Sequence, residues 1–291
     1  MPRHHPQLTT TTQLTTDPEA LVAYREVVRR PLDLGPLDAE PSPVGSPAYP
    51  FVLAYQSIID TVTGALATDV DHISAVVHLS QVVALHRPLR GHERLTVTSD
   101  VLGARRHPGG MRVAVRSVLH DPGGTPVADL LTGLLLVGAT TSGQFGDLPT
   151  HPVRAAVTDA VVVSRRIPEA LPRRYAEVSG DDSPIHVDPG HARAAGFPDV
   201  IVQGVCLLAL VCEEAITRFA AAAPDTVCGA GVRFSTPVVP GDVLELRLYP
   251  EVGGRVVLFS GRTARGTALK NGWVELVGPQ RRDTRVAGPL R

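Results

Sequence analysis

From Gln203 to Ala220 the sequence reads QGVCLLALVCEEAITRFA, a helix-length run that is apolar on nearly every side through its first turns. A helix with no polar face there belongs in a buried position, not on a surface. Its longest uninterrupted apolar stretch, from Val205 to Cys212, is far short of the roughly 18 residues that span a membrane. The expected cover is therefore protein, and the chain supplies it as strands. The runs AVVHLSQVVAL, RLTVTSDVLGA, MRVAVRSVLHD and PVADLLTGLLLVG follow one another from residue 75, and their breaks at Pro88 to Gly91, Pro108-Gly109-Gly110 and Pro122-Gly123-Gly124 are turn signals between antiparallel strands. After the apolar helix, strands are expected near 228–236, 242–251, 255–264 and 268–277. An antiparallel sheet wrapped on a long apolar helix buries both elements, so the fold class is α+β.

The same order of elements occurs twice. Asp17-Pro18-Glu19 is a cap residue, a proline at the first helical position and an acid in the first turn, which predicts a helix from 18 to about 30. A second helical segment starts at Phe51, ahead of the first group of strands. Past residue 150 the pattern restarts with a strand near 159–166, a helical and loop region over 168–199, and the buried helix. Pro88 and Leu95 repeat as Pro237 and Leu244 at an offset of 149, with Glu93 opposite Asp242. The 291 residues thus divide into two copies of one unit, 17–137 and 151–279. A Gly/Ser/Thr linker joins them at 138–150. Residues 1–16, polar and with six threonines, are expected to be a disordered N-terminus, and 280–291 a flexible tail.

With 28 Lys+Arg against 29 Asp+Glu the formal net charge is −1, so neither nucleic acid nor a membrane surface is an expected partner. The three cysteines are odd in number, and Cys206 and Cys212 lie within the apolar run as small hydrophobes do. With no apolar core near the N-terminus to form a secretory signal, a reduced, cytoplasmic protein is expected.

Chemistry concentrates in Tyr175 to Asp188, YAEVSGDDSPIHVD, and in GFPDVIVQGVCLLAL from Gly196. Asp181 and His186 stand five residues apart across Ser183-Pro184. The residue before a proline is kept out of helical conformation, so this is an irregular loop that can aim both side chains inward. Carboxylates and imidazoles are residue types that general acid and base chemistry uses, and an Asp and a His five apart are equally ordinary loop polarity. At Gln203-Gly204 the buried helix begins, and its first amides have no partner within the helix. They suit an anion or a polarised carbonyl oxygen.

These residues resemble the MaoC-like, (R)-specific enoyl-thioester hydratases and dehydratases. In outline the family's signature is S-G-D-x-N-P-x-H-x-D, then G-F and an apolar pair before H-G at the opening of the central helix. Here the chain has Ser179-Gly180-Asp181-Asp182-Ser183-Pro184-Ile185-His186-Val187-Asp188, Gly196-Phe197 and Ile201-Val202-Gln203-Gly204. The resemblance implies a double hotdog, two antiparallel sheets each wrapping a central helix, with a degenerate N-terminal half that forms tunnel wall and a catalytic C-terminal half. It implies Asp181 and His186 as the catalytic pair, the Gly204 amide in the oxyanion hole, and Ser183, Gln203, Tyr175 and Phe197 about the substrate. The substrate would be a trans-2-enoyl or (R)-3-hydroxyacyl thioester on coenzyme A or a carrier protein, with no cofactor and with room for a long or bulky acyl chain. Ser183 stands where the family has Asn, and Gln203 where it has His. Those two departures keep open a polyketide-type tailoring dehydratase and a non-catalytic thioester-binding subunit of a hotdog heteromer. A homodimer is the other assembly expected.

Other polar groups carry less. His72, His78, His86 and His92 match no zinc-ligand spacing, so no metal is expected and they read as surface or strand residues. Gly109-Gly110 and Gly253-Gly254 read as hairpin turns, not phosphate loops. Arg165, Arg166, Arg173 and Arg174 flank the loop as a solvated face or as contacts for a thioester carrier's phosphates.

Overall fold

Edge pairing makes the two halves one sheet. The structure, a computed structural model, describes residues 9–34, 37, 43–65, 73–139, 144–156, 158–221 and 223–277. Its strands are β1 (Thr9–Thr15), β2 (Ala75–Leu85), β3 (Arg94–His107), β4 (Gly110–His120), β5 (Pro126–Val137), β6 (Phe145–Gly146), β7 (Val161–Arg166), β8 (Val227–Phe234), β9 (Val243–Pro250), β10 (Val256–Thr263) and β11 (Gly266–Leu276). The helices are α1 (Pro18–Arg29), α2 (Tyr49–Ala65), α3 (Leu171–Ser179), α4 (Pro184–Val187), α5 (Pro189–Ala194) and α6 (Gly204–Phe219).

The order across the sheet is β1-β3-β4-β5-β2-β8-β11-β10-β9-β7, with β6 beside β3. Read from the centre outward, each half repeats the other: β2 answers β8, β5 answers β11, and β1 answers β7. The halves meet where β2 pairs antiparallel with β8, from Ser80 opposite Arg233 to Ala84 opposite Gly229. Adding the offset of 149 to Arg94, the first residue of β3, gives Val243, the first of β9. Beyond that point the offset fails because β3 has 14 residues and β9 has 8.

Local signals explain the helices. Asp17 caps α1, its carboxylate accepting from the Glu19 amide at 2.9 Å, and Pro18 opens the first turn. One stripe of α1, Leu21, Tyr24 and Val28, is fully buried. In α6 every side chain from Val205 to Ile216 is buried, including Glu213 and Glu214, so the helix is enclosed as its apolar first turns required. No helix among the described residues is long and apolar enough to cross a membrane.

Two peripheral segments differ from expectation. Residues 1–8 lie outside the described residues, but Thr9–Thr15, assigned to a disordered N-terminus, form edge strand β1 along β3, from Thr9 opposite Asp100 to Thr15 opposite Arg94. Threonine is a good strand former, and at a sheet edge it needs no apolar alternation to be stable there. The expected free linker at 138–150 is also tied down where it is described, since Phe145 and Gly146 pair with Ala104 and Gly103. The following residues meet the face of the sheet turned away from the helices. His151 bonds the Asn271 carbonyl at 2.9 Å, and the Arg154 guanidinium lies 5.1 Å over the Trp273 ring. Gly231 makes the slot for that indole: a Cβ there would stand 2.8 Å from the Trp273 ring. The tail expected at 280–291 lies outside the described residues.

Candidate active site

The loop that follows α3 is shaped by three local rules. Gly180 ends the helix at φ 72°, a left-handed conformation that suits glycine. Ser183, before Pro184, is extended, and Pro184 starts the single turn α4 that carries His186. Asp188 then caps α5 through the amides of Gly190 and His191, at 2.7 and 3.0 Å. Asp181 and His186 are brought to one point, with His186 Nε2 3.9 Å from Asp181 Oδ2. Their side chains are only 16% and 10% exposed, and that exposure is to a cavity both of them line.

Each has its orientation fixed. His186 Nδ1 lies 2.7 Å from the Ile201 carbonyl, which can only accept, so Nδ1 carries a proton and Nε2 is turned toward Asp181. The Asp181 carboxylate accepts a hydrogen bond from the Tyr55 hydroxyl on α2 at 2.9 Å, through Oδ1, leaving Oδ2 toward His186. Burial and the neighbouring Asp181 carboxylate push the Tyr55 hydroxyl's pKa far up, so it stays a donor. The backbone carbonyl of Asp181 is held at 3.1 Å by the Gln203 side-chain amide, which also donates to the Pro172 carbonyl at 3.0 Å.

The cavity is about 140 Å³ and has walls from both halves. Asp181, Ser183, His186, Phe197 and Gly204 line it from the C-terminal half. Gly204 starts α6, where a Cβ would press to 3.0 Å on the Phe234 ring, so the helix amides approach the cavity without a side chain between. Phe51, Tyr55, Ile58 and Ile59 line it from α2, and Val76, Val77 and His78 from β2.

Two expected substrate contacts are elsewhere. Tyr175 is absent from the cavity lining; its hydroxyl is 3.1 Å from that of Tyr24 and the rings pack at 5.5 Å. It sits on the apolar stripe of α3 that faces α1, and burial raises its pKa. Gln203 is also outside the lining, 1% exposed, and braces the Asp181 loop. Of the flanking arginines, Arg165 pairs with Glu214 at 3.1 Å, Arg166 donates to the Gly241 carbonyl and Arg173 to the Val187 carbonyl. Among the described residues no three His, Cys, Asp or Glu side chains gather as a metal site.

Tyr55 and His78 are cavity-lining residues that sequence reasoning missed. Nothing in their flanking sequence marks them, since Tyr55 stands 126 positions from the carboxylate it bonds. Only the pairing of the halves reveals them.

Comparison with known proteins gives the family. Residues 145–262 match the MaoC like domain. The chain is 31% identical over 217 residues to the 3-hydroxyacyl-thioester dehydratase Y of Mycobacterium tuberculosis, covering 70% of this chain and 73% of that protein. Among solved structures, a MaoC-like dehydratase from Phytophthora capsici superposes with a TM-score of 0.75 at 20% identity, over 94% of this chain and 97% of that one. A Mycobacterium tuberculosis protein described as having a double hotdog fold superposes with a TM-score of 0.60 at 16% identity, over 92% and 94%. With its mirrored half-sheets, its buried central helix and this degree of identity to a dehydratase over most of both chains, the protein is a double-hotdog member of the MaoC-like family.

Proposed function

We propose that the protein is a hydro-lyase that adds water to a trans-2-enoyl thioester, or removes it from an (R)-3-hydroxyacyl thioester, with Asp181 and His186 sharing the water. The observation that carries this reading is the 3.9 Å between Asp181 Oδ2 and His186 Nε2. It is too long for a direct hydrogen bond and right for two groups that each bond one oxygen between them. His186 Nε2 takes a proton from the water; the Asp181 carboxylate orients it, and the pair returns a proton at Cα. Charge that builds on the thioester oxygen meets the first-turn amides of α6 beside Gly204, the kind of donor whose loss costs other enzymes about 3–4 kcal/mol. Family membership and the 31% identity to a protein named a thioester dehydratase support the same reaction class. Coenzyme A and carrier-protein thioesters both present this chemistry.

Cavity size narrows the acyl group. A void of about 150 Å³ in another protein holds one benzene, so about 140 Å³ takes an acyl portion of about six carbons. The side chains Phe51, Tyr55, Ile58 and Ile59, which α2 contributes to the cavity wall, support a short acyl portion over the long chain expected. The test is the loss of conjugated-thioester absorbance when the purified protein meets trans-enoyl-CoA substrates. Hexenoyl-CoA should be hydrated with a kcat/KM at least about tenfold above that of dodecenoyl-CoA, the scale of about two methylenes lost from a pocket. No turnover of either, as the coenzyme A or the carrier-protein thioester, rejects the reaction, and equal turnover rejects the size limit.

Tyr55 is a positioning residue in this scheme. Tyr55→Phe removes a hydrogen bond to a charged acceptor, an interaction of about 1.5–3 kcal/mol, so kcat should fall about tenfold while KM changes little. A change confined to KM would assign Tyr55 to the wall alone.

A further inference from the structure

His78, which the sequence marks as one of several scattered histidines, lies in the cavity wall between the rings of Phe51 and Phe234, with centroid separations of 5.1 and 5.0 Å. Its protonation can be worked out from its neighbours. Nε2 stands 3.1 Å from the Ser80 carbonyl and 3.1 Å from Gln81 Oε1. The Gln81 amide cannot be turned the other way, because its nitrogen donates to the Val82 carbonyl at 2.9 Å while its oxygen accepts from the Thr132 hydroxyl at 3.0 Å. Both neighbours of Nε2 are therefore acceptors, and Nε2 must carry the hydrogen. Nδ1 is left as a bare acceptor, with no hydrogen-bond partner among the described residues. Burial lowers the pKa of the ring to about 4, so it stays neutral across the physiological range and this tautomer persists.

A neutral ring nitrogen with a free lone pair is poorly matched to a purely hydrocarbon chain, which strips it of solvent and offers nothing in return. We infer that His78 forms a polar subsite in the acyl cavity, accepting a hydrogen bond at Nδ1 from a hydroxyl carried by the acyl chain beyond the carbons that react. The substrate class is then a short hydroxylated acyl thioester, and His78 is a specificity residue contributed by the N-terminal half. The assignment rests on the thioester reading above but not on turnover, since binding alone reports it. Its bland competitor is a structural role, in which the ring only fills the gap between Phe51 and Phe234 and ties β2 at its bulge.

The experiment uses saturated thioesters, which cannot be hydrated. Hexanoyl-CoA and the hydroxyhexanoyl-CoA isomers with the hydroxyl on each carbon beyond the third are titrated calorimetrically into the full chain. At least one isomer should bind about tenfold more tightly than hexanoyl-CoA, the scale of one added buried hydrogen bond. In His78→Phe, which keeps a flat ring between the two aromatics, that preference should vanish while hexanoyl-CoA binds as well as before or better. His78→Asn, which can return an acceptor near the position of Nδ1, should restore part of it. If the wild type shows no preference for any isomer, or if His78→Phe weakens plain and hydroxylated ligands equally, the subsite is overturned and the ring is structural. The wild-type comparison stands even if both variants misfold. Absence of enoyl-thioester hydration together with a retained hydroxyl preference would instead reject the reaction and leave the subsite in place.

Discussion

Asp181→Asn should lower kcat for enoyl-thioester hydration by roughly 10²–10⁴-fold, the range of a positioned proton-transfer group, with the melting temperature nearly unchanged. The two halves of that expectation come from different atoms of one residue. Its backbone carbonyl is held by Gln203 and its Oδ1 by the Tyr55 hydroxyl, and asparagine retains both acceptors. What disappears is the negative charge, along with the acceptor at Oδ2 that faces His186 Nε2 across 3.9 Å. An amide nitrogen in that place donates where the scheme needs an acceptor, so the water is no longer bracketed by two bases. Initial rates with hexenoyl-CoA, beside a thermal melt of the same preparations, make the measurement. A variant within threefold of wild type in kcat would remove Asp181 from the chemistry and leave it as a loop anchor.

The parts of this site that could be read in the sequence are those set by local spacing. Gly180, Ser183-Pro184 and the apolar opening of α6 each impose a backbone rule within a few residues, so the irregular loop and the start of the buried helix were legible from residue order, and the resemblance singled out Asp181 and His186 on that loop. Tyr55 and His78 obey no such rule. Each belongs to an element with its own sufficient reason to exist, a helix and a strand, and they acquire a role only because β2 pairs with β8 and carries the first half against the second. Tyr175 shows the converse error. The resemblance put it about the substrate, but the helical period of α3 turns it to the α1 side, where Tyr24 meets it. β1 was illegible for another reason: an edge strand of threonines pairs through its backbone and shows no apolar alternation.

A second substitution should give the opposite signature, large in stability and small in turnover. Glu213 on α6 is fully buried and receives Arg25 of α1 through two bonds, Nε to Oε1 at 2.7 Å and a terminal guanidinium nitrogen to Oε2 at 2.9 Å, with Arg29 at 3.2 Å. The pairing fixes α1 across the central helix, far along α6 from the Gly204 end that meets the cavity. Glu213→Gln leaves the guanidinium of Arg25 in a buried place without a counter-charge, and breaking a buried pair from one side costs about 3–5 kcal/mol. At roughly 2–4 °C per kcal/mol for chains of somewhat smaller size, the melting temperature should fall by about 10 °C, while kcat measured well below the transition stays within about twofold. The loss belongs to the stranded charge more than to the bond, so Arg25→Met combined with Glu213→Leu should recover most of it, as apolar replacements of buried pairs do elsewhere. If Glu213→Gln melts with the wild type, the ion pair is incidental to stability and α1 is held by Leu21, Tyr24 and Val28.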